Sequence, residues 1–209
     1  MNRKREIVRS LMILLVLLEL GSVVEMRMNA DYLGMTAHGF LAVLFTILGS
    51  YSFKLVQKTE HHSKRTLEES TIYSLLIISL LMLNMIAIHD FDHMRQAMAW
   101  DYQFTLSVLL VNLIVYVPNW IAIILISKGK LSGILASIVS GPLIASSFLK
   151  VHILGAWIPV WGLWKDSFFV LGADQLSWVI LTVTALVGVG VGMASCYYYG
   201  KEKQRNVAI

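Results

Sequence analysis

Charge is scarce in this 209-residue chain: Asp, Glu, Lys and Arg together make up 14% of it, where a soluble domain carries about 25%. That scarcity excludes an ordinary cytosolic globule. The one cysteine, Cys196, excludes an internal disulfide and any CxxC metal or redox motif. Three prolines and a high apolar content exclude a disordered chain. The formal net charge of +4 is too small to point to nucleic acid, and no nucleic-acid partner is expected.

What the chain does have is long apolar runs. Hydrophobic residues reach 57% and the mean hydropathy is +0.69. About 20 apolar residues are needed to cross the hydrocarbon core as a helix. Six stretches qualify, at roughly 7–26, 35–57, 71–88, 104–127, 132–153 and 178–200. They are too long for strands, and in lipid each backbone must satisfy its own polar groups. The expected fold class is therefore all-α integral membrane, a six-transmembrane-helix bundle forming one domain over residues 1–209, with the lipid bilayer as its first partner.

Orientation follows from the basic residues. Arg3, Lys4, Arg5 and Arg9 precede the first stretch, and Lys54, Lys58, Lys64 and Arg65 surround the loop after the second. Lys128, Lys130, Lys201, Lys203 and Arg205 fall on that same side, which so collects 13 of the 17 Lys and Arg. Arg27, Arg95, Lys150 and Lys165 fall on the other. The positive-inside rule places both termini in the cytoplasm of a multi-pass plasma-membrane protein, in agreement with an even number of spans. The basic start and its long apolar run read as an uncleaved signal anchor.

Aromatic residues mark the interfaces. Trp100, Trp157, Trp161, Trp164 and Trp178 map to the outer one, and Tyr197, Tyr198 and Tyr199 to the inner. Trp157, Trp161 and Trp164 share one helical stripe, so a short interfacial helix is expected in the last outer loop, as an anchor or a lid. Thr184, Gly188, Gly192 and Cys196 recur every four residues, a small-residue face suited to close helix packing. The Gly188/Gly192 face is a candidate contact for a membrane-protein partner or a homo-oligomer. Pro118 and the Gly141–Pro142 pair are expected to kink their helices. The charged loop with His61 and His62 reads as a solvated connector.

One polar cluster carries chemistry. Of six histidines, His38, His89, His93 and His152 map to the outer ends of their helices. His89 and His93 stand at i, i+4 and so share a helix face, a spacing that lets two imidazoles reach one metal ion. Asp92 and Asp90 lie beside them, as a further ligand or as carboxylates that orient an imidazole. The candidate metal ligands are His38, His89, Asp92, His93 and His152. Glu19, Glu25, Asp90, Arg95 and Lys150 are the candidate charge-handling or supporting groups, with Glu19 either in an ion pair with Lys150 or joined to the histidine cluster. Asn84 and Asn112 are placed to hydrogen-bond across helices.

Imidazoles with a carboxylate suit zinc, copper or iron. Met26, Met28, Met35, Met94 and Met98 near the same face lean toward copper, although Met is also common apolar filler. Haem b, with His38 facing His93 or His152, is a further option. The plain alternative is that these histidines are wet, hydrogen-bonded groups at the headgroup boundary. Three functions stay open at this point. One is a metalloprotein for redox, metal-handling or metal-dependent chemistry at the extracytoplasmic face. Another is a small proton- or cation-coupled transporter or channel using Glu19 and Lys150. The last is a non-catalytic subunit or assembly factor of a membrane complex.

Overall fold

The computed structural model describes residues 2–60, 66–99, 106–155 and 166–207. Every regular element among them is a helix: α1 (Asn2–Met28), α2 (Tyr32–Glu60), α3 (Glu69–Ala99), α4 (Leu106–Ser127), α5 (Leu131–Leu154), α6 (Phe168–Leu171) and α7 (Gln175–Val207). By length and composition, α1, α2, α3, α5 and α7 can each cross a membrane. The helix at the fourth expected span is α4, whose described apolar stretch, Leu113–Ser127, is shorter. The stripe of Trp157, Trp161 and Trp164 lies outside the described residues. So does the side chain of Asn112.

Large apolar side chains cover the outside of the bundle. Ile13, Leu17, Val43, Ile47, Ile114, Val139, Leu186 and Met193 are each more than half exposed. A water-soluble monomer rarely shows so extensive an apolar surface, whereas hydrocarbon accepts it. The interior is centred on α3, which packs against α1, α4 and α7. Its Ile72, Leu75, Leu80, Met82, Leu83 and Ile86 are fully buried. Asn84 on α3 donates to the Leu11 and Leu80 carbonyls at 3.0 and 2.8 Å. It therefore binds α1, where the sequence suggested a partner on the next span.

α5 and α7 approach closely through small residues. A Cβ on Gly188 would come within 2.7 Å of Gly141 O, and one on Gly192 within 2.6 Å of Pro142 Cγ. The Gly188/Gly192 face expected to meet a partner is thus occupied by α5 of the same chain. Both α4 and α5 continue through their prolines. Gly129, at φ 67°, makes the tight α4–α5 turn, and its N–H and that of Lys130 close the end of α4 on Ile126 O and Leu125 O.

Both ends of the chain meet at the start of α3. Lys4 near the start of α1 donates to Ser70 O and Ser74 Oγ. Glu202 near the end of α7 is fully buried and accepts from Glu68 N, Thr71 Oγ1 and Arg205 Nε. A carboxylate there answers the free N–H groups and the positive end of α3. Lys201 and Ser70 hydrogen-bond Glu68 and hold its carboxyl below the usual range. The opposite end of the bundle carries His38, His89, His93 and His152.

Candidate metal centre

α3 runs on as helix to Ala99, eleven residues beyond the expected end of the third span at Ile88. A polar run can stay helical at this depth because its side chains turn inward and find partners. His89, Asp90, Asp92, His93 and Gln96 are all buried. Continuous helix puts His89 and His93 side by side. His152 comes from the last turn of α5, which Gly155 ends in a conformation of φ 80°.

Three ring nitrogens converge on one point. His93 Nε2 is 2.9 Å from His89 Nε2 and 2.5 Å from His152 Nε2, and the His89–His152 pair is 3.1 Å apart. All three rings are buried. Hydrogen bonding cannot satisfy this triangle. The Nε2 of a neutral imidazole carries either a hydrogen or a lone pair, so among three such atoms at least two are alike and face each other. A cation at the centre satisfies all three lone pairs at once. Zn–N bonds of 2.0–2.1 Å in a tetrahedral site imply nitrogens roughly 3.3 Å apart, wider than the 3.1, 2.9 and 2.5 Å here, so the His93–His152 pair would have to open the most.

The tautomer of His152 is set by its other nitrogen. Nδ1 lies 2.6 Å from Phe148 O, and a carbonyl accepts only, so the hydrogen sits on Nδ1 and the Nε2 lone pair faces the triangle. Fixing a ligand histidine through a backbone carbonyl is the usual outer-shell device of metal sites. His89 Nδ1 is buried with no hydrogen-bond partner among the described residues. Phe148 packs on His89 at 4.6 Å between ring centroids, and Phe168 of α6 lies edge-on to His152 at 4.5 Å. Trp178 backs Phe168 at 5.4 Å. Aromatic rings therefore wall the nitrogens on two sides.

Asp92 is not among the converging ligand atoms. Its Oδ1 accepts from Arg95 Nη2 at 2.7 Å and Nε at 3.1 Å, near enough to His152 to act on it electrostatically. Arg95 also forks onto Asp174 at 2.8 and 3.0 Å. Asp174 in turn caps α7 through Ser177 N, and Gln96 Nε2 donates to Ser177 Oγ. Arg95, then Ser177 N, hold the Asp174 carboxyl well below the usual aspartate range. The C-terminal end of α3 is thereby latched to the segment that carries Phe168.

His38 belongs to a second buried group. Its Nδ1 is 2.9 Å from Glu19 Oε2, and Tyr116 donates to Glu19 Oε1 at 3.2 Å. Asp90 lies within electrostatic reach of both His38 and Tyr116, and Glu25 of His38. The expected pair of Glu19 with Lys150 does not form, because α1 packs on α2 and α3 while α5 packs on α4 and α7. Lys150 instead donates to Gly155 O at 2.5 Å, closing the end of its own helix. Met26, Met94 and Met35 pack with Ala37 and Leu109, which accounts for them as apolar filler.

Sequence reasoning missed Tyr116, Phe148, Phe168 and Asp174. For Tyr116 a signal existed, since a tyrosine in mid-span has left the interface where its hydroxyl is hydrated and must bond something buried. The phenylalanines carried none. No family model, no curated protein and no solved structure matches this chain.

Proposed function

We propose that the protein is a six-span membrane metalloprotein with both termini in the cytoplasm, whose His89, His93 and His152 bind one divalent transition-metal ion near the extracytoplasmic face. The convergence of three Nε2 atoms within 3.1 Å of one another carries this proposal. Such close nitrogens leave no gap for a macrocycle between any two of them, which favours a bare ion over haem b. Three imidazoles without a thioether suit zinc better than copper(I). A three-histidine ion keeps a fourth position for water or substrate, the arrangement of hydrolytic zinc sites. Asp92, held by Arg95, supports the centre from outside rather than entering it.

Protein purified without a histidine tag is expected to hold about one zinc per chain, or to take up one when zinc is added. His89→Ala, His93→Ala and His152→Ala should each lose it while keeping the elution profile of the folded protein. Full metal retention in all three variants would exclude the site. Transport through Glu19 and Lys150 draws no support from their geometry, since each has other partners.

A further inference from the structure

The end of the bundle where both chain termini meet carries positive charge that the metal centre does not use. Arg5 and Arg9 stand one turn apart on α1, and their guanidiniums lie 5.1 and 5.0 Å from the centroid of the same ring, Phe53 on α2. An aromatic face attracts a guanidinium through its quadrupole and leaves N–H groups free for another acceptor. Arg9 Nη1 donates to Glu6 Oε1 at 2.9 Å, in a pair whose side chains are 46% and 61% exposed. Arg5 Nε is buried with no hydrogen-bond partner among the described residues. Lys4 donates to Ser70 O and Ser74 Oγ, which are neutral, so its charge adds to that of the two arginines.

Beyond these cations the surface turns apolar. On the i+4 row that begins with Arg5 and Arg9, the next residues are Ile13 and Leu17, 61% and 56% exposed. Phe53 also lines an apolar cleft with Val8 and Met12 of α1, Val56 of α2 and Leu76 of α3. Both α1 and α2 have the length and composition to cross a membrane, so Ile13 and Leu17 face hydrocarbon. Arg9 and Arg5 lie roughly 6 and 12 Å from Ile13 along the helix axis, at 1.5 Å per residue, toward the headgroups.

Cations followed by exposed apolar side chains match the order of parts in a phospholipid, a phosphate and then an acyl chain. The planar guanidinium fork meets phosphate oxygens two at a time. A zwitterionic headgroup would bring a cation of its own against Arg5, Arg9 and Lys4. We propose that this face of α1 and α2 binds one anionic phospholipid, its phosphate held between Arg5 and Arg9 and its chain lying along Ile13 and Leu17. The site is independent of the metal centre, and it holds in either orientation of the protein in the membrane. In the orientation proposed above it opens to the cytoplasmic leaflet, where anionic lipids attract basic residues next to a span.

The test is native mass spectrometry of the detergent-purified full chain, titrated with phosphatidylglycerol or phosphatidylcholine of the same acyl chains, and with inorganic phosphate. Wild type is expected to hold one phosphatidylglycerol per chain about 30-fold more tightly than Arg5→Gln/Arg9→Gln, about fivefold for each guanidinium. Phosphatidylcholine should bind both proteins equally weakly. Lys203→Gln, at an exposed lysine of the same end, should bind phosphatidylglycerol as wild type does. A comparable loss in Lys203→Gln would assign the preference to general surface charge and overturn the site. Equal retention of the two lipids by wild type, or of phosphatidylglycerol by wild type and double variant, would overturn it too. Inorganic phosphate displacing the lipid at equal concentration would reassign the guanidiniums to a free anion. Arg9 is half exposed, so Arg9→Gln alone, with its fivefold loss, decides the matter if the double variant does not fold.

Discussion

A single carbonyl determines what His152 can offer. Because Phe148 O takes the hydrogen on Nδ1, the lone pair on Nε2 is committed to the point where His89 and His93 also aim. Loss of any one of the three should weaken zinc binding by more than the 10- to 100-fold typical of losing an outer-shell partner, measured by competition with a chelating dye. Arg95 offers a contrast between its two partners. Asp92 is 3% exposed and Asp174 48%. Arg95→Gln strands Asp92 inside the bundle and should cost about 3 kcal/mol, the low end for a broken buried pair, since the guanidinium is itself 38% exposed. Asp174→Asn removes a solvent-screened pair and should cost clearly less. Thermal unfolding in detergent separates the two; equal losses would mean that Asp92 is not the partner that matters. The carboxyl of Asp174 is held low by Arg95, so the stability it gives is complete above about pH 4, the ordinary aspartate value. It is lost only as pH falls further, and acidification from pH 7 to 5 should leave this latch closed. At this scale the sequence was legible where the relation is local: His89 and His93 are four residues apart, and helical periodicity alone aligns them. For Glu19 the sequence allowed two partners, Lys150 or the histidines, and could not choose between them, because equal depth in the membrane does not say which helices are neighbours; the structure places it on His38.

Among the elements, α3 is the one that joins the two ends of the molecule. Its expected end at Ile88 was drawn where hydropathy falls, but a polar run stays helical when its side chains have buried partners, and His89, Asp92 and Gln96 do. The α5–α7 contact shows the same distinction between pattern and partner. Recurring small residues announced a close-packed face, and packing density could be read from them. The identity of the helix on the other side could not, and it is α5 rather than a second copy. Gly188→Val should therefore cost 1–3 kcal/mol or more as overpacking, because its Cβ would meet Gly141 O at 2.7 Å and Ala145 Cβ at 2.8 Å. Gly190, two residues on, has nothing within 4 Å of its Cβ position, and Gly190→Ala should be close to neutral. Thermal unfolding of both variants is the check; a neutral Gly188→Val would place that face on the outside of the bundle.

At the scale of the whole molecule, two polar ends enclose an apolar middle. One end gathers Lys4, Glu68, Lys201, Glu202 and Arg205 around the start of α3, and the other gathers the histidines and the Arg95 latch. In the orientation proposed above from the basic residues, the first end lies in the cytoplasm. In a Cys196→Ser background, a cysteine at Gly172 should react with a membrane-impermeant thiol reagent on whole cells, and one at Lys203 should react only after lysis. The reverse pattern would turn the protein over in the membrane and the metal centre with it. All-helical architecture was legible from the length of the apolar runs, since no other structure hides twenty consecutive backbone amides from lipid. Equal depth grouped five candidate ligands, but which of them converge needed three dimensions, because His152 lies 59 residues from His93 and no local pattern separates it from His38. Zinc K-edge X-ray absorption on the zinc-loaded protein observes that convergence directly. Three imidazole nitrogens at about 2.0–2.1 Å from the metal, with one oxygen ligand completing the shell, is the expected result. A shell with one imidazole or none, or one containing sulfur, would contradict it.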